Sequence, residues 1–266
     1  MPFTLSHAAA ALPFRRFKPV WPALVIGTFA PDLQYFVLIS DEDRSGHHFP
    51  EVLLYTIPFA LLVLWVFEWV VKGPAIELLP SGLQRRLQDK LKPLPFAGWK
   101  RFAAIVLWIC VGVATHLAWD QFTHSYSRLA NHWTLLHTMI YVPLMHFTSS
   151  AHFLQHLSTI GGMAVLAVWL AAWYRRTPPT EQTRTEEFSA GLKAVVVLSM
   201  STIALLAGYP LAMWRLAQHP APIRPIVIVA TVFVAATMVF CIQLVLYGLA
   251  ITLNARTRRV AASQPD

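Results

Sequence analysis

The sequence predicts an all-α, polytopic transmembrane helical bundle. Hydrophobic residues make up 56% of the 266 residues, charged residues make up 13%, and the mean hydropathy is +0.52. A soluble globular domain has about 25% charged residues. Apolar stretches of bilayer-spanning length also recur along the chain. We expect five to six spans in one membrane-embedded domain over residues 1–266, with a site-bearing half at 1–162 and an apolar helical half at 163–266.

The first predicted element is a broken or re-entrant helical hairpin. Residues 20–39 are apolar but include two prolines and an aspartate. Irregular backbone at membrane depth is tolerated only where it is buried in protein. We therefore predict two short helices at residues 6–14 and 19–30. Such a hairpin returns the chain so that His7 and Asp32 meet at its open end.

Five transmembrane helices are predicted after the hairpin. Each is an apolar run of about the length that crosses a bilayer. The runs are residues 52–71, 102–119, 157–174, 194–214 and 226–253.

The basic residues between these spans predict the topology. Seven Lys and Arg residues fall in the segment 72–101, and only Arg128 falls in the segment 120–156. Loops rich in Lys and Arg stay in the cytoplasm. We expect a cytoplasmic C-terminus, with the segment 120–156 on the other side. The excess of 21 Lys and Arg over 13 Asp and Glu is explained by these loops, so the sequence does not indicate nucleic-acid binding.

The end of the second span carries polar residues at helical spacing. His116, Asp120 and His124 follow each other at intervals of four residues, so they project from roughly one face of a helix. Ionisable residues inside a membrane are costly and mark functional sites by default. The alternative is a polar pair that only forms hydrogen bonds across the bundle.

These residues belong to a larger set of candidate metal ligands near one face of the membrane. The predicted ligands are His7, Asp32, His47, His116, Asp120 and His156. Asp32 and Asp120 are also candidates for a general base. Three further histidines are expected to orient the ligands: His48, His124 and His152.

Imidazole and carboxylate ligands predict the type of metal. They suit a borderline divalent cation, first zinc, with manganese or iron as alternatives, better than calcium. Six candidates exceed what one tetrahedral zinc uses, so two ions sharing a carboxylate and one ion with supporting residues both stay open.

Two histidine-rich stretches have a structural interpretation. His152 and His156, four residues apart, can be interfacial anchors at the start of the third span. Residues 131–147 contain three more histidines among Trp, Tyr and Phe, and we predict an amphipathic helix in the interface there.

Several motifs together resemble a known family. They are MPFTLSH at 1–7, LVIGTFAPD at 24–32, HHFP at 47–50, THLAWDQFTH at 115–124 and LQH at 154–156. This pattern resembles a bacterial family of uncharacterised integral membrane proteins, itself similar to membrane-bound metal-dependent hydrolase-like proteins. The resemblance implies the same six ligand positions. Many of those proteins have a second acid soon after Pro-Asp, where this chain has Gln34, which favours one metal over two.

The expected function, if the chain is an enzyme, is metal-dependent hydrolysis of a phosphoester or related bond in a lipid or lipid-linked substrate. The expected location is the bacterial inner membrane, with the site at its non-cytoplasmic face. The alternative is a non-catalytic metal-binding scaffold or sensor. A transporter is the weaker alternative, because the last two spans offer no charged residue in mid-span. Membrane lipids are the expected partners, and the sequence does not predict the oligomeric state.

Overall fold

The computed structural model describes residues 4–17, 20–39, 50–124, 127–143, 146–180, 188–218 and 225–262, which are mainly helical. The α-helices are α1 (Trp21–Phe29), α2 (Leu33–Leu38), α3 (Ile57–Val66), α4 (Lys72–Glu77), α5 (Ser81–Leu87), α6 (Trp99–Thr123), α7 (Arg128–His132), α8 (Thr134–His137), α9 (Ser150–Arg176), α10 (Ala190–Leu216) and α11 (Pro225–Ala262). The 3-10 helices are Thr4–Phe14, Ala30–Asp32 and Gln88–Lys90, and the π-helical segments are Val52–Thr56 and Phe67–Val71.

The predicted spans are confirmed. Among the described residues, five helices are long and apolar enough to cross a membrane. They are Val52–Glu77, Ser150–Arg176, Ala190–Leu216, Pro225–Asn254 and the helix that begins with α6 at Trp99. Each contains one of the apolar runs, so the all-α membrane fold follows directly from hydropathy.

The predicted interfacial helix at residues 131–147 is wrong. Beyond the short α7 and α8, this stretch forms strand β1 (Met139–Val142), which pairs antiparallel with β2 (His146–Ser149). Ile140, Tyr141 and Val142 are β-branched or aromatic, and such residues favour strands. Pro143 follows directly and cannot continue a helical hydrogen-bond pattern.

The chain divides into two compact units. The first comprises Met1–Leu33, Arg44–Leu61 and Pro95–Arg176, and the second comprises Gln34–Asp43, Leu62–Leu94 and Thr177–Asp266. The predicted single membrane-embedded domain, with halves divided at residue 162, stays a prediction.

The N-terminal hairpin is confirmed in the first unit. The 3-10 helix Thr4–Phe14 packs along α1, and the Trp21 indole N–H donates to the Ala11 carbonyl at 2.9 Å. The rings of Phe14 and Phe17 lie 5.7 and 4.9 Å from that of Trp108 on α6. These contacts hold the hairpin against α6.

Two glycines allow α1 and α6 to touch through their backbones. A Cβ atom at Gly112 would lie 2.7 Å from the Gly27 Cα and 2.5 Å from the Leu24 carbonyl oxygen. A Cβ atom at Gly27 would collide with the Ile109 backbone. Small residues permit such close crossings of membrane helices. The crossing brings the end of α1 against the last turns of α6.

The second unit has a similar crossing between α10 and α11. A Cβ atom at Gly208 would lie 2.6 Å from the Ala236 nitrogen. Ala212 and Ala235 form an apolar core nearby with Ile39.

Candidate metal centre

His116 and Asp120 lie on one face of α6, in its last two turns. The His116 Nε2 is 3.2 Å from the Asp120 Oδ2, as expected for residues four apart on a helix. His116 is only 1% exposed and Asp120 only 7%. An imidazole and a carboxylate are therefore held together away from solvent.

The backbone of α1 determines which nitrogen of His116 carries a proton. The His116 Nδ1 lies 2.9 Å from the Thr28 carbonyl oxygen. A carbonyl oxygen only accepts, so Nδ1–H donates and Nε2 remains for a cation or a second proton. Histidines that bind metals commonly donate their other N–H to a carbonyl or carboxylate in this way. The close crossing at Gly27, one residue earlier, makes this contact possible.

Asp32 approaches the same imidazole nitrogen from the hairpin. It ends the short 3-10 helix Ala30–Asp32 that follows α1. Its Oδ1 is 3.4 Å from the His116 Nε2, and its Oδ2 accepts a hydrogen bond from the Thr4 hydroxyl at 2.9 Å. The predicted meeting of the N-terminal segment with Asp32 is therefore observed.

His7 covers the other side of His116. The two rings stack, with centroids 4.0 Å apart and an interplanar angle of 24°. The His7 Nε2 is 3.9 Å from the Asp120 Oδ1 and has no hydrogen-bond partner within the described chain. Burial lowers the pKa of His7 to about 4, and the His116 imidazole adds to this effect. His7 is therefore neutral at physiological pH, which is the state in which imidazole binds a metal.

The arrangement fits a divalent cation. Among the described residues, ligand atoms of His7, His116 and Asp120 all lie within 4.8 Å of one another. The separations of 3.2 and 3.4 Å between the His116 Nε2 and the two carboxylates also match two ligands of a tetrahedral metal, about 3.4 Å apart for bonds of about 2.0–2.2 Å. Two carboxylates converge on one imidazole nitrogen, and a metal ion or a shared proton there would balance their charge.

Comparison with known proteins identifies the family. The family described as a domain of unknown function (DUF4184) matches residues 1–249. The chain belongs to this family. No curated protein and no solved structure matches it. The match extends well beyond the motifs at 1–162 and includes most of both units of this DUF4184 protein.

The structure gives the remaining predicted site residues different positions. His124 is buried directly after α6, with its Nδ1 3.5 Å from the Asp120 Oδ1. His156 is not part of the cluster of His7, His116 and Asp120. It is exposed on α9, where its Nε2 is 3.3 Å from the Nε2 of His152. His47 and His48 lie outside the described residues.

Four contributors to the site were not predicted. Thr4 orients Asp32, the Thr28 carbonyl orients His116, and Gly27 and Gly112 allow the helices to approach. A backbone carbonyl leaves no signal in a sequence. The glycines do leave one, since a glycine inside each of two apolar helices indicates a close crossing.

Proposed function

We propose that this protein is a membrane-embedded, metal-dependent hydrolase that acts on a phosphoester or related bond of a lipid or lipid-linked substrate. The observation that carries the proposal is the convergence of His7, His116, Asp120 and Asp32 on one buried point at the end of a membrane-length helix. The motif resemblance to metal-dependent hydrolase-like membrane proteins supports the same reaction class.

His7, His116 and Asp120 are the proposed metal ligands. Their mixed imidazole and carboxylate donors favour zinc, with manganese or iron as alternatives. A divalent cation there would balance the two carboxylates and supply Lewis-acid activation of water and of an anionic substrate oxygen. His124, beside Asp120, would support the orientation of that carboxylate.

Asp32 is the proposed general base. Its two oxygens have different surroundings: Oδ2 accepts from the Thr4 hydroxyl, and Oδ1 faces the His116 Nε2. A carboxylate held in one orientation next to the ligands can accept a proton from water and return it to the leaving group. Thr4 then acts as a positioning residue for Asp32.

The depth of the cluster favours a lipid substrate. Asp120 and His116 lie three and seven residues before the end of α6, which is about 5 and 10 Å along the axis at a rise of 1.5 Å per residue. The cluster therefore lies near one end of α6, which supports a substrate whose reacting bond is at the depth of lipid headgroups. The first turn of α6, at its opposite end, contains Lys100 and Arg101. The positive-inside rule therefore supports a non-cytoplasmic site in an inner membrane.

The experiment is elemental analysis of detergent-purified protein, desalted to remove exchangeable ions, followed by phosphate release from phosphatidic acid and from p-nitrophenyl phosphate. We expect about one equivalent of metal in wild type, as suits one set of ligands. Metal and turnover should both be lost in His116→Ala. Absence of metal after reconstitution would contradict the proposal and leave His116 as a protonated, hydrogen-bonded core residue.

Burial favours one second candidate, a non-catalytic metal-binding scaffold or sensor. Asp32 and His116 are each only 1% exposed, and structural metal sites are closed whereas catalytic sites keep an open position. Stoichiometric metal without hydrolysis of any phosphoester, together with a coordination sphere that excludes water by X-ray absorption spectroscopy, would support this candidate instead.

A further inference from the structure

The first two turns of α9 carry a pair of exposed histidines that the buried cluster does not use. His152 and His156 are four residues apart, so their side chains are neighbours on the helix surface. Their rings lie edge to face at an angle of 86°, with centroids 4.7 Å apart. The two Nε2 atoms are 3.3 Å apart.

We propose that His152 and His156 form a second divalent-cation site, separate from the buried centre and open to the surroundings. Two nitrogen ligands of a tetrahedral zinc are about 3.3 Å apart, since each Zn–N bond is about 2.0–2.1 Å. The observed separation equals that value, so the pair is preorganised as a chelate. The inference does not depend on the proposed hydrolase activity.

Gln155 gives His152 the correct tautomer. It is only 4% exposed, and its Oε1 lies 3.2 Å from the His152 Nδ1. The amide oxygen accepts, so the His152 Nδ1–H donates and the lone pair is on Nε2, which faces His156. The arrangement repeats the role of the Thr28 carbonyl toward His116 in the buried centre.

The surroundings of the two histidines determine which class of cation the site would bind. Both histidines are exposed, while the α9 surface becomes apolar directly after them, with Leu157 52% and Ile160 69% exposed. Neutral imidazoles without a carboxylate select borderline transition metals such as zinc, nickel or copper over magnesium or calcium. Water would complete the coordination sphere, so this site exchanges its ion more readily than the buried one.

The experiment is a titration of chelator-stripped, full-length protein in detergent with Zn²⁺ and Ni²⁺, monitored by calorimetry. We expect wild type to show two classes of site. His156→Ala and His152→Ala should each remove the exchangeable class and keep the buried one, and His116→Ala should do the reverse. His137→Ala is the matched control, because His137 is exposed and hydrogen-bonded to Asn131. It should leave both classes unchanged.

The variants separate this inference from the proposed function. Equal binding by wild type and His156→Ala would overturn the exposed site, and the 3.3 Å contact would then be a hydrogen bond between the rings. If only His116→Ala loses metal, the exposed site is overturned and the proposed buried centre is supported. Both histidines are exposed, so their replacement should not unfold the protein, and a monodisperse elution profile checks this.

Discussion

The two units bury carboxylates in opposite ways. In the second unit, Glu68 accepts from the Lys72 ammonium on its own helix and from the Leu94 backbone N–H at 2.7 Å, and Lys72 also donates to the Lys92 carbonyl at 2.9 Å. A lysine ammonium and a backbone donor therefore balance this acid. It joins the helix to the following loop and has a structural role.

In the first unit, Asp120 has three imidazoles as ion-pair partners among the described residues. His7, His116 and His124 each approach it within 3.9 Å. An imidazole titrates near neutral pH, so its charge depends on conditions, whereas an ordinary lysine side chain keeps its charge up to about pH 10. A carboxylate paired with lysine needs no further counter-charge, but carboxylates that face imidazoles can bind an added cation. The comparison therefore distinguishes a buried acid with a structural role, Glu68, from one that can bind a cation, Asp120.

The largest expected effect distinguishes these two acids. Asp120→Asn removes one ligand charge and preserves the shape, so the bound metal should fall from about one equivalent to background. Glu68→Gln should keep the full equivalent per folded chain. Elemental analysis of both variants beside wild type measures this. Metal retained by Asp120→Asn would show that Asp120 is not a ligand.

The second effect concerns thermal stability, for which Glu68→Gln should be the more affected of the two variants. Glu68→Gln leaves the mostly buried Lys72 ammonium without its counter-charge, and breaking a buried ion pair costs about 3 kcal/mol or more. The midpoint of thermal unfolding in detergent should therefore fall further for Glu68→Gln than for metal-free Asp120→Asn. An unchanged midpoint in Glu68→Gln would mean that the pair is hydrated and contributes little.

The third effect compares the two glycine crossings. Gly112→Ala and Gly208→Ala each place a methyl group within 2.7 Å of opposing backbone, which should cost roughly 1–3 kcal/mol of stability through overpacking. Only Gly112→Ala separates Thr28 from His116, so it alone should weaken metal binding. The measurement is metal affinity by competition with a fluorescent chelator. Equal affinity in both variants would show that the crossing does not position the ligands.

The smallest expected effect concerns the hydroxyl that orients Asp32. Thr4→Val removes the hydrogen bond to the Asp32 Oδ2, so it should lower phosphoester turnover by about 10-fold, the lower end of the range for supporting residues, and leave the bound metal in place. Thr231→Val is a matched control, since its hydroxyl bonds only to the Val227 carbonyl of its own helix among the contacts described. If both variants release phosphate as fast as wild type does, Thr4 has no positioning role.

The spacing of His116 and Asp120 could be interpreted from the sequence because both lie on one helix, where geometry is regular. The positions of His7 and Asp32 were predicted from hairpin topology, and the structure brings both to His116. The predicted ligand His156 could not be tested by spacing alone. In the structure it is exposed on α9, with its Nε2 3.3 Å from that of His152.

The sequence by itself determined the membrane class, the five spans and the helical spacing of the polar residues, because hydropathy and a helical repeat are local properties. Only the tertiary structure decided which polar residues meet. Those contacts depend on the backbone approach at Gly27 and Gly112, on the carbonyl of Thr28, and on the fold of the N-terminal segment against α6. Each joins segments distant in the chain, and such pairings arise from packing rather than from local sequence.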